Sequence, residues 1–330
     1  KPSGRTAPYQ ARHGVTTTNT PVMTLHLGIT PWQLNAPSAA GIGEQAAFAE
    51  SHGYKSFWLP ENHFGEGALP DPLMLLASAA STTTSIKLAT TSYLLTLRNP
   101  LQAAEQVAVL DQLSGGRVLL GVGRGYAPEM LRAFHVPVAE KRRIFAWTLG
   151  LMKDAWAGEA ISLDGDAENA VRVYPLPLQR PHPPIWVAAF GPKALAQAGR
   201  MGLPYLSSPM ESIATLADNY AKHQQASAEE GVSPASIIPL MRTVFVCDDS
   251  AEIAALKDRL SQEVDNTRLV PGETVDDWTL IGDRVFVRDV IQRYQETLGM
   301  THLVATRLRL PGLAESKLRA SVALLAETLA

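Results

Sequence analysis

Residues 110–125 read LDQLSGGRVLLGVGRG, and this stretch decides the fold. A helix that begins at Asn99-Pro100 ends before the turn Ser114-Gly115-Gly116, since proline suits the first helical position and glycine suits a turn. The turn leads into an apolar strand, Arg117–Gly121. A helix, a short turn and a buried strand in this order predict one repeat of a parallel sheet covered by helices.

The same alternation extends outward along the chain in both directions. The pattern predicts further strands over residues 24–29, 55–59, 86–95, 185–189, 203–206, 237–247 and 301–306. Eight strands alternating with helices, without a composition break, predict an α/β protein whose sheet closes into a (β/α)8 TIM barrel. An open doubly wound sheet is the alternative. Residues 126–140 and 265–283 form unusually long connections, and the second predicts an insertion or lid before the last βα units.

Length and composition set further bounds. The chain has 330 residues, 46% of them hydrophobic and 18% charged, which excludes a disordered protein. A single cysteine, Cys247, excludes a disulfide scaffold, and a net charge of -3 argues against a nucleic-acid partner. No apolar run reaches the roughly 18 to 20 residues of a membrane span, so no membrane partner and a cytoplasmic location are expected. Residues 23–330 are predicted to form one barrel domain, and residues 1–22 an N-terminal arm or an added tail.

Polar residues follow the second and third predicted strands, and the carboxyl ends of barrel strands carry the chemistry in this fold. Glu61-Asn62-His63-Phe64 comes after the second strand, and Thr91 and Ser92 end the third. His63 suits proton transfer, and the group as a whole suits hydrogen bonding to a cofactor or substrate. The alternative is that Glu61 and His63 satisfy backbone groups of their own loop. No set of His, Cys and Asp residues completes a zinc sphere, so no metal is expected.

An anion site is predicted where the fourth strand ends. The glycines of residues 121–125 permit close approach of a ligand to the backbone, and Arg124 suits an anion. Tyr126 stands at the sixth place, where a dinucleotide fingerprint needs glycine, so NAD binding of that type is not expected. Arg142, at the start of the next long helix, either faces the same anion or is an ordinary surface charge.

A second anion-binding feature follows the fifth strand. Gly191 allows a tight turn, and Pro192 suits the first position of the next helix. The N–H groups of Lys193 and Ala194 then lie at a helix N-terminus, which suits a phosphate, and Lys193 adds a charge. A plain turn between strand and helix is the alternative.

Several segments carry a resemblance when they are taken in order. They are Arg98-Asn99-Pro100, residues 104–108 (AEQVA), the stretch 110–117, the glycine-rich residues 120–125, and residues 302–306 followed by Pro311-Gly312-Leu313. In this order and spacing they resemble the bacterial luciferase-like flavin-dependent monooxygenases. The resemblance spans residues 23–330, and it implies a (β/α)8 barrel that binds FMN at its carboxyl mouth and assembles as a homodimer or higher oligomer.

The resemblance also implies roles for individual residues. A non-proline cis peptide is expected at Thr91–Ser92, beneath the flavin ring. Arg124 and Arg142 fall on the two arginines that bind the FMN phosphate. The remaining phosphate contacts fall on Phe190, Gly191, Lys193 and Ala194. Because Phe190-Gly191 stands where luciferase has a Glu-Ser pair, backbone N–H groups or Lys193 are expected to replace those side-chain contacts.

Two departures from bacterial luciferase bear on activity. Glu61-Asn62-His63-Phe64 stands where luciferase has Glu-His-His-Phe, so the catalytic histidine of light emission falls on Asn62, which does not act as a base. His63 is then expected to orient or protonate the flavin-bound oxygen, and His63 and Asn62 are the candidate catalytic residues. The reactive cysteine of luciferase falls on Gly123, which is expected to leave space near the flavin.

The reaction that the resemblance implies is monooxygenation of a small organic substrate. An NAD(P)H-dependent flavin reductase supplies FMNH2, dioxygen adds to it, and the peroxyflavin transfers one oxygen atom to the substrate. Three alternatives remain open. They are an F420-dependent hydride-transfer oxidoreductase of the same barrel family, a non-catalytic flavin-binding barrel, and a barrel hydrolase that uses Glu61 and His63.

Overall fold

The structure is a computed structural model that describes residues 25–33, 39–263, 272–308 and 310–330. The predicted arm, residues 1–22, lies outside these ranges. The strands are β1 (His26–Ile29), β2 (Ser56–Leu59), β3 (Lys87–Thr90), β4 (Tyr93–Leu94), β5 (Val118–Gly123), β6 (Ala160–Ile161), β7 (Val171–Arg172), β8 (Ile185–Ala188), β9 (Tyr205–Leu206), β10 (Pro239–Val246), β11 (Thr279–Gly282) and β12 (His302–Thr306). The α-helices are α1 (Ala39–Ser51), α2 (Pro72–Thr82), α3 (Pro100–Leu113), α4 (Pro128–Ala133), α5 (Lys141–Trp156), α6 (Pro192–Arg200), α7 (Ile213–Glu230), α8 (Ser250–Glu263), α9 (Val275–Trp278), α10 (Arg284–Leu298) and α11 (Glu315–Leu329).

The main sheet is parallel and curls into a barrel with helices on its outside. Its strands follow the order β11-β10-β12-β1-β2-β3-β5-β8-β9, with the short β4 paired beside β5. Strands β6 and β7 form a separate antiparallel pair. This architecture confirms the predicted α/β barrel. Within the described ranges, no helix combines the length and the apolar character that crossing a membrane requires.

The seam between β9 and β10 is closed by side chains. Met241 of β10 donates its backbone N–H to Ser207 Oγ, just after β9, at 3.1 Å. The Tyr220 hydroxyl of α7 donates to the carbonyl of Pro239 at 2.7 Å and lies 3.4 Å from that of Tyr205. Burial raises the pKa of Tyr220 well above its ordinary value, so this hydroxyl remains a donor. Two hydroxyl groups therefore connect strands that share no described backbone ladder.

The barrel interior is filled by one side chain from each of several strands, as the period of two requires. The inward residues are Trp58, Ala89, Leu119, Trp186, Leu206, Met241 and Val304. The rings of Trp58 and Trp186 lie 5.0 Å apart, centre to centre. Gly28 of β1 makes room for them, because a Cβ there would lie 2.7 Å from Nε1 of Trp58. Below the mouth, the barrel is a packed core.

Local sequence signals set the starts of helices α2 and α3. Asp71 caps α2 by accepting a hydrogen bond from the N–H of Met74 at 3.2 Å, with Pro72 in the first turn. Asn99 caps α3 in the same way, accepting from the N–H of Leu101 at 2.9 Å. Both caps stand directly before a proline, which has no N–H that needs a partner.

The two long connections are more structured than the sequence predicted. Residues 126–140 include helix α4 and a 3-10 turn at Val138–Glu140. In the predicted lid, residues 265–271 lie outside the described ranges, but Val275–Trp278 is helical and Thr279–Gly282 is strand β11. Because β11 pairs with Thr243–Val246 of β10, this part of the predicted lid belongs to the barrel wall.

Two histidines stack at the amino end of the barrel, opposite the mouth. His26 of β1 and His302 of β12 are paired in register, and their rings lie 4.5 Å apart at 12°. Trp186 meets His302 edge-on at 5.1 Å, and Thr301 Oγ1 lies 2.8 Å from its Nδ1. Burial, and then the charge of His26, lower the pKa of His302 to about 4.

Acidification is therefore expected to destabilise the fold through His302. Its ordinary pKa is 6.5, so between about 6.5 and 4 the unfolded chain binds a proton that the folded chain does not. The free energy of unfolding should fall by about 2 kcal/mol across this window from His302 alone. The variant His302→Phe keeps a ring in the stack but does not titrate. Urea unfolding at about pH 7 and pH 5 should show a smaller loss in the variant, and equal losses would contradict the assignment.

Candidate active site

The polar residues predicted at the strand ends meet at the carboxyl mouth of the barrel. Contacts connect them around the rim from one strand to the next. After β2, Glu61 accepts a hydrogen bond from the N–H of Leu94 in β4. The hydroxyl of Ser92 lies against Gly123 at the end of β5. Arg124 donates to the carbonyl of Ala188 in β8.

Glu61, just after β2, contacts three other residues of the mouth. Its side chain has no exposed surface, and its Oε1 lies 2.9 Å from His63 Nε2 and accepts from Arg98 Nη1 at 2.8 Å. Its Oε2 accepts from the N–H of Leu94 at 2.9 Å. The guanidinium of Arg98 lies 3.8 Å from the ring centre of Tyr93, which fixes it against the core. The buried carboxylate is thus compensated by the partly buried guanidinium of Arg98 and contacts one nitrogen of His63.

Asn62 lies between these residues in the chain but faces the other way. Its Oδ1 accepts from the N–H of Leu69 at 2.6 Å, and its own N–H donates to the Leu69 carbonyl at 3.1 Å. The residue is exposed. Asn62 therefore ties the loop of residues 62–69 to itself, and His63 is the residue of this pair that lies in the buried network.

The predicted cis peptide at Thr91–Ser92 is confirmed. It separates β3 from β4, so the predicted single strand of residues 86–95 is broken there. The expectation that Gly123 leaves space is wrong, because a Cβ on Gly123 would overlap Ser92 Oγ and lie 3.0 Å from Ser92 Cβ. The absent side chain at residue 123 is what allows Ser92 its position at the mouth.

Two glycine substitutions in β5 should therefore differ in whether they can be rescued. Gly123→Ala is expected to cost about 2 kcal/mol of folding free energy through overpacking, and Ser92→Gly in the same chain should restore most of it. Gly121→Ala should cost at least as much without rescue, because its Cβ would overlap the main-chain oxygen of Thr90. Urea unfolding of the two single variants and of each one combined with Ser92→Gly checks this. Additive losses in the pair at residues 92 and 123 would contradict the packing argument.

Arg124 is a buried cation at the end of β5, with 7% of its surface exposed. Its guanidinium donates to Gln197 Oε1 at 2.6 Å and to the Ala188 carbonyl at 3.2 Å, and it lies 5.1 Å from the ring of Phe145. No carboxylate among the described residues pairs with it. Burial, and then the charge of Arg142, lower its pKa to about 10, so it stays charged at neutral pH. A buried charge without a counter-charge in the described chain fits an anionic ligand.

Helices α5 and α6 place the other predicted phosphate ligands beside Arg124. Gln197 of α6 connects them, because its Oε1 accepts from Arg124 and its Nε2 donates to the Arg142 carbonyl at 3.0 Å. An open groove between the two helices is lined by Arg142, Arg143, Ala146, Pro192, Lys193, Ala196, Gln197 and Arg200. None of these lining residues is acidic, although Arg143 pairs with Glu140 outside the groove. The groove therefore favours anions.

The N-terminus of α6 opens toward the same place. Gly191, the N-cap, has a φ of 74°, which favours glycine, and its lack of a side chain leaves the helix without a side-chain cap. The N–H of Ala194, a predicted phosphate contact, donates to the Gly191 carbonyl at 3.1 Å. The N–H of Lys193 has no acceptor within the described ranges, so it is better placed than the N–H of Ala194 to bind a phosphate. Phe190 is 62% exposed beside them.

Aromatic rings surround His63 on its open side. Its side chain is 9% exposed and its ring centre lies 4.8 Å from that of Phe134 and 5.6 Å from that of Phe64. Phe64 is itself 70% exposed and holds a φ of 67°, which is uncommon for a residue with a side chain. An apolar wall next to a titratable ring lowers the amount of water that reaches it.

Two residues of the mouth were not predicted as ligands or catalytic groups: Arg98 was only part of the resemblance, and Gln197 carried no signal. Glu61 was predicted as a hydrogen-bonding residue or as part of a hydrolase site, but without a defined partner in the chain. Glu61 and Arg98 are 37 residues apart in the sequence, and Arg124 and Gln197 are 73 residues apart. Both contacts form only when the barrel closes. Among the described residues, no group of three or more His, Cys, Asp and Glu side chains is placed to hold a metal ion.

The curled parallel sheet, the cis peptide at the end of β3 and the cationic mouth define an α/β barrel whose carboxyl end favours anions. The sequence model of the luciferase-like monooxygenase family matches residues 13–301, and the chain belongs to this family. Members include both monooxygenases and F420-dependent oxidoreductases.

Individual relatives show the range of this family. An uncharacterized protein of Sinorhizobium fredii, y4wF, is 34% identical over 199 residues, which cover 59% of this chain and 58% of the relative. An F420-dependent glucose-6-phosphate dehydrogenase of Kineococcus radiotolerans is 31% identical over 239 residues, covering 69% of this chain and 67% of that protein. The first match thus spans less than two thirds of the relative.

Solved structures share the fold over nearly the whole chain. The monooxygenase RslO1 from Streptomyces bottropensis has a TM-score of 0.78 at 24% identity, covering 92% of this chain and 98% of that one. The oxygenating constituent of 3,6-diketocamphane monooxygenase of Pseudomonas putida, solved with FMN, has a TM-score of 0.76 at 20% identity, covering 93% and 98%. At this identity the likeness concerns the fold.

Proposed function

We propose that this chain is an FMNH2-dependent monooxygenase that oxygenates a small organic substrate. The observation that carries the proposal is Arg124, a buried cation at the barrel mouth without a carboxylate partner in the described chain. A phosphate supplies the missing charge, and Arg142 with the amino end of α6 supplies further donors. The match to the luciferase-like family and the FMN complex of a structural neighbour agree with such a cofactor.

The residues of the mouth divide into two groups in this proposal. Arg124, Arg142 and the Lys193 N–H hold the phosphate, and the Thr91–Ser92 backbone lies at the flavin ring. FMN, when reduced, supplies the electrons that activate dioxygen. On the other side, His63 holds or moves a proton at the nitrogen that Glu61 leaves open.

Reducing equivalents come from a partner in this proposal. The glycine-rich end of β5 has Tyr126 where a dinucleotide fingerprint needs glycine, so a separate NAD(P)H-dependent flavin reductase is proposed to deliver FMNH2. A cytoplasmic location, where NAD(P)H is regenerated, suits this pairing.

We also propose a homodimer formed through α2 and α3. The apolar residues Leu73, Leu76, Ala79 and Ala80 of α2 are buried in the chain's own core. Three other apolar side chains remain exposed on these helices: Met74 at 73%, Val109 at 43% and Leu113 at 64%. Sedimentation of the wild type and of Leu113→Glu tests the proposal, and a monomeric wild type contradicts it.

A second candidate is F420-dependent hydride transfer. The relative from Kineococcus radiotolerans is named for F420, and the groove continues along α6 to Arg200, seven residues beyond Lys193. At 1.5 Å per residue this is roughly 10 Å, so the groove offers cations past a first phosphate. A cofactor with an anionic tail would use them.

Anaerobic titration followed by an oxygen pulse separates these functions. The pure protein is titrated with FMNH2, oxidised FMN and reduced F420, and absorbance and fluorescence are followed. Tight FMNH2 binding with a delayed return of oxidised FMN after oxygen supports the monooxygenase. Preference for F420, with no reaction with oxygen, supports hydride transfer. Flavin binding with no effect on its oxidation indicates a non-catalytic barrel, and binding of neither contradicts the proposal.

A further inference from the structure

We propose that Glu61 is a positioning residue that keeps a proton on Nε2 of His63, so that Nδ1 is the nitrogen presented to the bound ligand. This inference rests on the proposed function, since it concerns how His63 exchanges a proton there. It assigns Glu61 a role in the site beyond satisfying the backbone of its own loop.

The first step of the argument is that Glu61 has no freedom to turn away. Its side chain is fully buried, and both of its oxygens accept hydrogen bonds: Oε2 from the N–H of Leu94 and Oε1 from Arg98. The 2.9 Å contact from Oε1 to His63 Nε2 completes the set. A carboxylate only accepts hydrogen bonds, so this contact requires the proton to lie on Nε2.

The second step concerns charge. A lone buried carboxylate would favour a doubly protonated His63, because an opposite charge nearby favours the charged form of a histidine. Arg98 supplies that positive charge instead, and it is itself fixed by the Leu94 carbonyl at 2.8 Å and by the ring of Tyr93 at 3.8 Å. The Glu61–Arg98 pair is thus balanced without His63.

The third step concerns the ring's orientation. The ring of His63 packs between Phe64 and Phe134, at 5.6 and 4.8 Å between centres. Beyond β2, Glu61 and His63 contact each other, whereas the side chain of Asn62 between them accepts from the N–H of Leu69. Within the described ranges Nδ1 of His63 has no hydrogen-bond partner, and it is the nitrogen left for a ligand.

Histidine NMR of the flavin-free protein tests the proposal directly. In protein labelled with 15N-histidine, long-range proton–nitrogen spectra distinguish a proton on Nε2 from one on Nδ1. We expect the Nε2–H form for His63 in the wild type, identified by the loss of its signals in His63→Gln. In Glu61→Gln the Nε2–H form should no longer dominate, because an amide can donate as well as accept. Glu66→Gln, an exposed carboxyl in the same loop, is the matched control and should leave the spectrum unchanged.

A kinetic measurement tests whether Glu61 acts through His63. Oxidation of bound FMNH2 by oxygen to FMN and hydrogen peroxide moves two protons from cofactor to peroxide, and His63 is placed to carry one of them. After an oxygen pulse, oxidised FMN should return about tenfold more slowly in Glu61→Gln and in His63→Gln, and no more slowly in the double variant. FMN affinity should stay within about threefold of the wild type, because neither residue touches the proposed phosphate site.

The outcomes separate this inference from the proposed function. A wild-type His63 with its proton on Nδ1 overturns the inference without any variant, even if Glu61→Gln fails to fold. An unchanged tautomer in folded Glu61→Gln, or additive losses in the double variant, also overturns it. Failure to bind FMNH2 contradicts the proposed function and leaves the NMR result standing.

Discussion

Replacing Arg124 with glutamine is expected to weaken FMN binding about 100-fold, which corresponds to about 2.7 kcal/mol. The wild-type guanidinium is buried, carries a full charge at neutral pH and already uses Gln197 and Ala188 as neutral partners. A phosphate placed there gains a charge-assisted hydrogen bond in a site that excludes most water. Glutamine keeps a donor but removes the charge. Fluorescence titration with FMN measures the change.

Riboflavin is the matched ligand control because it lacks the phosphate. Its affinity should change by less than about threefold in Arg124→Gln, since the ring site is not altered. Arg143→Gln is the matched variant: this arginine lines the groove but is 72% exposed in side-chain surface and already pairs with Glu140. It should alter FMN affinity by less than about threefold as well. Equal losses for FMN and riboflavin in Arg124→Gln would mean that the barrel mouth itself had collapsed.

Replacing Arg117 with methionine is expected to lower the free energy of unfolding by about 4 kcal/mol. The buried guanidinium donates five hydrogen bonds, to the carbonyls of Ser114, Ile86, Ala80 and Thr83 and to the Thr83 hydroxyl. It therefore closes the carboxyl end of helix α2 onto the start of β5. Methionine fills much of the volume and leaves those buried acceptors unpaired. Urea unfolding measures the loss.

Two comparisons show whether the effect is structural. Arg117→Lys should lose less, since one ammonium group can serve some of the carbonyls. Arg132→Met, at an exposed arginine of helix α4, should stay within about 0.5 kcal/mol of the wild type. FMN affinity in folded Arg117→Met should be unchanged. A loss of FMN binding at full stability would instead give this arginine a role at the mouth.

Arg117 also explains why the most specific part of the sequence located the fold better than the site. Within LDQLSGGR, Asp111 accepts from the N–H and Nε2 of Gln179 at 2.9 and 2.8 Å, and Arg117 closes helix α2. These residues brace the wall and the closed end of the barrel. Their contacts serve the architecture, so they indicate the barrel strongly and its chemistry only through resemblance.

Other parts of the fold were harder to predict from the sequence. Strand β11 lies within residues 265–283, which the sequence predicts as an insertion or lid because of their length. The break in residues 86–95 falls at a peptide bond whose cis form leaves no mark in β-propensity. Helix starts were predictable, since Asp71 and Asn99 act on residues two or three places away.

The candidate site divides in the same way. The glycines and cations of the mouth could be found in the sequence, because Arg124 directly follows a strand and Lys193 stands in the first turn of the helix after the next strand of the main sheet. The residues that hydrogen-bond to Glu61 and Arg124 could not be predicted from the sequence. Glu61 meets Arg98, and Arg124 meets Gln197, across distances in sequence that only the closed barrel spans. A glutamine on an amphipathic helix has no spacing that distinguishes it from an ordinary surface residue.

The seam between β9 and β10 bears on how the protein resists aggregation through an unpaired sheet edge. A row of unpaired N–H and C=O groups at a sheet edge is a template on which other chains add strands and aggregate. Here the two strands at the seam are neighbours along the chain, and the hydroxyls of Ser207 and Tyr220 occupy groups that a ladder would otherwise fill. The side chains of Ser207 and Tyr220 therefore protect this edge, and a single mutation can remove either of them. A ladder of backbone hydrogen bonds between strands depends much less on which side chains are present.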